Sequence, residues 1–181
     1  MDRTPAAAPT ADDFLDQALV EEAAKKSGLL WVRADGQEQS RAVWHAWHDG
    51  AVVVVGDGAE QPLHGLAAGT GAVVTVRSKD KGGRLTGWPA RVSELAPGSE
   101  AWLGAVEELK GKRLNAPDTD TITDRWAREC RVLRLEPAGL TEHPGAMPDA
   151  SHAAVPMPTP ATTRMPIPAG LPKLLLKRRK G

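Results

Sequence analysis

The chain has 181 residues and a mass of 19.2 kDa, the length of one domain with room for a tail. Hydrophobic residues make up 41% and charged residues 25%, a composition that supports a packed core. Its 23 basic and 23 acidic side chains balance to a formal charge of zero, which argues against a whole-chain nucleic-acid binder.

Residues 1–11 are rich in Pro and Ala and predict a disordered N-terminus. They carry no apolar segment of the kind a signal peptide needs, so the expected location is cytoplasmic. The main domain is expected over residues 12–143. It opens with a helix over 12–26, where Phe14, Leu15, Ala18, Leu19 and Ala23 recur at helical spacing. Acidic residues come early in this helix and Lys25 and Lys26 late, as the helix dipole favours, and Gly28 is a natural stop.

The middle of the chain is rich in strand signals. Leu29–Val32 and Ser40–His48 are candidate strands. Asp49-Gly50 then carries hairpin-turn chemistry, and Ala51–Val55 returns as the partner strand. Gly56-Asp57-Gly58 breaks that strand, and Pro62–Ala68 reads as a short helix with proline in its first turn. Ala72–Arg77 is a further strand, Lys79–Gly83 a turn, and Arg84–Leu95 a long strand. Pro89 within it implies an edge position or a bulge. Ser99 caps a helix with Trp102, Leu103, Val106 and Leu109 on one face, ended by Gly111. Thr121–Glu129 is a short second helix, and Cys130–Leu135 the last strand, closed by Pro137.

Alternation puts Val43, His45 and Trp47 on one face of the Ser40–His48 strand and Ala42, Trp44 and Ala46 on the other. Both faces are largely apolar, as is all of Ala51–Val55, so both should be covered. One face would fill a small barrel. The other needs a helix, a second subunit or a flat ligand.

From Pro144 to Pro172 there are eight prolines, which predict an extended segment. Residues 151–181 hold six basic side chains and no acid, so residues 1–150 carry a net charge of −6. The 144–181 segment therefore reads as a Pro-rich, basic tail on an acidic body. Its Leu174–Leu176 triplet is too short to span a membrane; the basic cluster could attract an acidic surface such as a membrane or nucleic acid, but a solvated, solubilising tail is the favoured reading, with folding back on the acidic body of its own dimer as a third.

Residues able to carry chemistry are few. There is no GxSxG elbow, Walker A loop, HExxH or CxxC motif. Cys130 is the only cysteine, which excludes an intrachain disulfide and a multi-cysteine zinc site. Arg128 and Arg131 could lower its pKa, against the commoner reading of a buried structural cysteine. His45 and His48 would point to opposite faces of a strand, so no metal site is expected. The tryptophans mostly fill the core, with Trp44 and Trp88 left open as ligand contacts. Arg77-Ser78-Lys79 at a strand end suits a phosphate, or is a solvated hairpin end. No residue stands out as a general acid or base, so no catalytic residue is assigned.

The order strand, Arg41-Ala42-Val43-Trp44, hairpin, Val52–Val55, Ala59-Glu60-Gln61-Pro62-Leu63, Val73–Arg77, long strand, helix and Lys112-Arg113-Leu114-Asn115 resembles the pyridoxamine 5'-phosphate oxidase-like family of FMN-binding split barrels, in its actinobacterial form. The resemblance covers residues 27–137. It implies a mainly β fold, a six-stranded antiparallel split β-barrel with short flanking helices, working as a homodimer with flavin at the subunit interface. By position, Arg41, Ala42, Val43 and Trp44 would line the isoalloxazine edge. Val55, Gly56, Glu60 and Gln61 would lie near the ribityl chain and phosphate, and Arg77, Ser78 and Lys79 at the end of the next strand.

The chain departs from the family where basic residues usually meet the phosphate, because Glu60-Gln61-Pro62 stands there. A carboxylate repels a phosphate and proline removes an amide donor. Arg41, Arg77, Lys79 or Arg84 would have to compensate. The first expectation is an FMN-dependent oxidoreductase of a small-molecule substrate, with the deazaflavin F420 as an alternative cofactor. The second is a flavin-less split barrel, a ligand-binding or dimeric interaction protein. A heme-binding relative would need His45, His48 or His64 as an axial ligand.

Overall fold

The computed structural model describes residues 11–77, 84–114, 116–139 and 141. The expected disordered N-terminus (through residue 10), the Lys79–Gly83 turn, and the Pro-rich basic tail lie outside these residues. So do Ser78 and Lys79.

The described chain runs α1 (Ala11–Lys26), β1 (Leu30–Ala34), β2 (Arg41–Val43), β3 (Ala46–His48), β4 (Ala51–Gly56), β5 (Gly71–Arg77), β6 (Arg84–Glu94), α2 (Glu100–Lys112), α3 (Ile122–Glu129) and β7 (Arg131–Pro137). The strands form one curled antiparallel sheet in the order β2-β1-β5-β6-β7-β4-β3. The mainly β, antiparallel split barrel with short flanking helices is therefore the fold. Its strands number seven because the expected Ser40–His48 strand is broken at Trp44-His45. β2 pairs with β1, with Val32 opposite Arg41, while β3 pairs with β4, with Ala46 opposite Val53. These two consecutive pieces are the two edges of the sheet, so residues 41–48 cross the split and draw the edges together.

Each face of the sheet has its own core. Val52 and Val54 of β4 face inward with Leu133, Leu135, Trp88, Val74, Leu30 and Val43, and Val20 and Ala24 of α1 join this interior. Val53 and Val55 face outward and pack against Trp102, Val106 and Leu109 of α2 and Ile122 and Trp126 of α3. All six residues of β4 are buried. Of the three ways to cover the second face, helices are the one used here. Trp88 is 1% exposed and belongs to the barrel interior.

Local chemistry explains most boundaries. Asp49 (φ 46°) and Gly50 (φ 74°) both take the left-handed conformation that a two-residue hairpin between β3 and β4 needs. The Ser99 hydroxyl accepts from the Trp102 amide at 3.2 Å and caps α2. Gly111 does not end α2, which runs on to Lys112. Arg113 is its cap, its amide donating to the Leu109 and Lys110 carbonyls. Pro89 lies in an internal strand, but β7 pairs with β6 only from Ala90 to Glu94. Pro89 thus sits where β6 is locally an edge, its carbonyl accepting from the Ala138 amide.

Two further expectations are corrected. The Pro62–Ala68 helix is absent: the segment is a pair of turns, with His64 (φ 40°) and Gly65 (φ 84°) in a conformation no right-handed helix allows. The apolar face of α1 is also shifted. Val20 and Ala24 are buried, while Leu15 and Leu19 are 69% and 39% exposed. The helix docks through its smaller residues, where the His45 ring nitrogen Nε2 meets the Ala24 carbonyl at 2.9 Å.

Candidate functional site

The break between β2 and β3 is the centre of the site. A strand that stops pairing leaves its amide and carbonyl unmet. At Trp44 the Gln61 side chain meets both: the Trp44 amide donates to Gln61 Oε1 at 2.8 Å, and Gln61 Nε2 donates to the Trp44 carbonyl at 2.8 Å. Gln61 Nε2 also donates to the Val55 carbonyl at 3.1 Å. One carboxamide thus stands in for the neighbouring strand and ties the split to the end of β4.

The 57–61 loop follows β4 closely. A Cβ on Gly56 would lie 2.4 Å from the Gln61 carbonyl oxygen and 2.5 Å from Leu63, so only glycine admits this path. The Asp57 amide donates to the Gln61 carbonyl and the Glu60 amide to the Asp57 carbonyl, each at 2.9 Å. Arg131 Nε donates to Asp57 Oδ2 at 2.7 Å.

Glu60 points inward, its side chain 1% exposed. Its Oε2 accepts from Arg113 Nε at 3.0 Å, and its Oε1 from Arg125 Nη2 at 2.9 Å and Trp126 Nε1 at 3.0 Å. Arg125 also donates from Nε to Asp118 Oδ2 at 2.6 Å, while its Nη1 is buried without a partner among the described residues. Hydrogen bonds to Asp118 and Glu60 hold the Arg125 guanidinium protonated well above its ordinary value, and that same bond pulls the Asp118 carboxyl below its own. The Trp44 indole is half-buried, 6.4 Å from the Trp126 ring, with the Arg113 guanidinium carbon 6.0 Å from its centroid.

Of the residues expected at a cofactor, Trp44, Val55, Gly56, Glu60 and Gln61 come together. The Val43 and Val55 side chains are buried in the two cores, and the Val55 carbonyl is taken by Gln61. Arg41 is exposed at the start of β2, and its side chain makes no hydrogen bond or ion pair among the described residues. Arg77 stands apart at the end of β5, its guanidinium carbon 4.2 Å from the centroid of the Trp31 ring. Reading the sequence missed Arg125, Trp126 and Asp118. Trp126 was placed on its helix, but no local pattern marks its partner 66 residues earlier.

His45, His48 and Cys130 are occupied or packed. His45 is bound to α1, and burial lowers its pKa. The His48 ring packs at Gly104 of α2, on the opposite face of the sheet from His45, and His64 lies in an exposed turn. Burial pushes the Cys130 thiol up, contrary to the activation that nearby arginines could provide.

A flavin phosphate tests the site. Glu60 and Asp118 balance Arg113 and Arg125, and Asp57 balances Arg131, so the 57–61 loop offers no surplus cation. Its Glu60 and Gln61 side chains are turned away from any ligand, so they do not fit a phosphate. Arg41 does fit one: it is an exposed guanidinium on the split edge, next to small, exposed Ala42.

No protein-family model matches the chain, and no curated protein matches it. Among solved structures it is similar to HutZ, the heme storage protein from Vibrio cholerae, at 15% identity and a TM-score of 0.52, over 72% of this chain and 96% of that one. It is also similar to the conserved hypothetical protein Rv2991 from Mycobacterium tuberculosis, at 14% identity and a TM-score of 0.50, over 74% and 89% of the two chains. At these identities the likeness is one of fold, and it places this chain among the split barrels. No helix among the described residues is long and apolar enough to cross a membrane.

Proposed function

We propose that this chain is a split barrel of the pyridoxamine 5'-phosphate oxidase-like class that binds a flavin-type cofactor, FMN, as a homodimer, and acts as an oxidoreductase on a small molecule. The observation that carries this reading is the exposed Arg41 guanidinium, without a partner among the described residues, on the edge strand β2, which ends just before half-buried Trp44. Arg41 would meet the cofactor phosphate, and the Ala42 edge would lie against the ring. The flavin would supply the hydride or electron chemistry. The protein's part is to bind and orient, and Gln61 and Glu60 do this indirectly by holding the split at one geometry.

The test is a visible absorbance spectrum of the purified protein, followed by titration with FMN and with the deazaflavin F420. Saturable FMN binding that weakens about tenfold or more in Arg41→Glu, with Arg33→Glu as a control, supports the reading. A colourless protein that binds neither cofactor overturns it.

A second reading has its own observation. Glu60 and Gln61, standing where the family usually holds the phosphate, are both consumed by structural bonds. A flavin-less ligand-binding or dimeric interaction protein would use the loop in just this way. Dimers that persist with no cofactor affinity would favour it.

A further inference from the structure

The shifted face of α1 leaves an apolar groove. It lies between α1 and the ends of β5 and β6, has a volume of about 540 Å³, and is walled by Leu19, Ala23, Val76 and Leu85. Leu19 and Leu85 are 39% and 48% exposed, and Leu15, one turn earlier on α1, extends the apolar surface. The polar side chains on the rim are engaged elsewhere. Glu22 pairs with Lys26, and the Ser27 hydroxyl donates to the Ala23 carbonyl at 2.8 Å. Arg77 lies over the Trp31 ring and has a further partner, and Thr86 has a partner of its own. The groove therefore offers an occupant apolar contact and no spare charge.

The chain itself carries a segment of matching chemistry. Outside the described residues, Leu174–Leu176 is the only run of three large apolar side chains. Lys173 before it and Lys177-Arg178-Arg179-Lys180 after it are all basic. α1 has the opposite balance, with five acidic residues against two basic ones. Lys25 and Lys26 pair with Glu21 and Glu22, so the acidic excess lies in the first half of the helix, among residues 12–16. That half begins within about 10 Å of Leu19 along the helix axis. Leucines seated at Leu19 and Leu85 would therefore bring the basic residues to acidic positions. A second copy packed on the groove through the same face would instead bring two acidic helices together.

The segment can reach the groove. Thr141, the last described residue, lines a neighbouring cavity with Asp16, Gln17 and Val20 of the same helix. The stretch from there to Leu174 spans up to about 100 Å when extended, several times the length of α1.

We propose that residues 171–180 dock on the groove of their own chain, Leu174–Leu176 against Leu19, Ala23, Val76 and Leu85, with the basic residues along the acidic half of α1. The groove shares only Arg77 with the residues expected at a cofactor, so the inference does not rest on the flavin reading.

The test is disulfide trapping in the full-length protein, with Cys130→Ser removing the native thiol. Leu19→Cys with Leu175→Cys should close an intrachain disulfide about tenfold or more faster than Leu103→Cys with Leu175→Cys. Leu103 is the control because it is a comparably exposed leucine, at 49%, on α2. Leu85→Lys sets a new cation against the segment and should slow the Leu19 pair about tenfold. All the substituted leucines of the fold are partly exposed, and circular dichroism checks that the variants are folded. Equal rates at Leu19 and Leu103, or a rate unchanged by Leu85→Lys, overturns the proposal. A disulfide that joins two chains overturns docking within one chain. Trapping needs no cofactor, so trapping without FMN binding would leave the proposal standing and remove the flavin reading alone.

Discussion

The carboxamide of Gln61 pairs with the backbone of Trp44 in both directions, as a residue of an adjacent strand would. The chain needs this partner because β2 and β3 leave the sheet's edges in opposite directions at that point. Replacing Gln61 with Ala leaves the Trp44 amide and two carbonyls without protein partners. The expected loss is about 2–3 kcal/mol, read as a lower urea midpoint. Gln61→Glu keeps an acceptor for the Trp44 amide but sets a carboxylate against two carbonyls. It should be less stable than Gln61→Ala at neutral pH and recover on acidification. Equal stability of both variants and the parent would show the pairing to be incidental.

Glu60 is the hub of a buried charge network. Removing its charge in Glu60→Gln leaves Arg113 and Arg125 facing one another with less compensation. Both arginines keep some solvent contact, at 29% and 18% exposure, so the expected cost is about 2–3 kcal/mol rather than the larger loss of a fully buried pair. Chemical denaturation measures it. Pairing the variant with Arg113→Gln in a double-mutant cycle should give a non-additive result.

The path of the 57–61 loop makes Gly56 indispensable. In Gly56→Ala the new methyl would meet the Gln61 carbonyl and Leu63 at about van der Waals overlap, and neither can move without breaking the loop. A loss of about 3 kcal/mol or more is expected in the thermal midpoint. Gly104→Ala is the informative contrast. Its Cβ would lie 2.6 Å from His48 Nε2, the far end of a side chain that can turn, so about 1 kcal/mol is expected.

His45 should give the protein an acid-sensitive shoulder. Burial lowers its pKa in the fold, so the unfolded chain takes up a proton more readily. Its contribution is complete above the unfolded value of about 6.5 and declines as pH falls below it toward the folded value. Asp118 behaves alike at lower pH, because Arg125 depresses its carboxyl: that contribution is complete above about pH 4 and lost as pH falls through the folded value. Unfolding free energies across pH 4.5–7 should slope for the parent and flatten in His45→Asn, a range chosen to separate the two groups. A slope unchanged in that variant would assign it elsewhere.

Sequence alone settled the features whose causes are local. The Asp49-Gly50 hairpin, the Ser99 cap, the doubly apolar β4 and the mainly β class all rest on residues within a few positions of one another, while the antiparallel split barrel came from the family resemblance. Trp44, Gly56, Glu60 and Gln61, which the resemblance had named together, lie in one neighbourhood of the fold. The sequence read Glu60 as a repulsive neighbour for a phosphate, however, because the groups that turn it inward lie 53 and 65 residues further along. Three features were left to the tertiary structure: the break at Trp44-His45, the direction of Glu60 and the face on which α1 docks. Each depends on partners brought close only when the sheet curls, and propensity and periodicity carry no information about such partners.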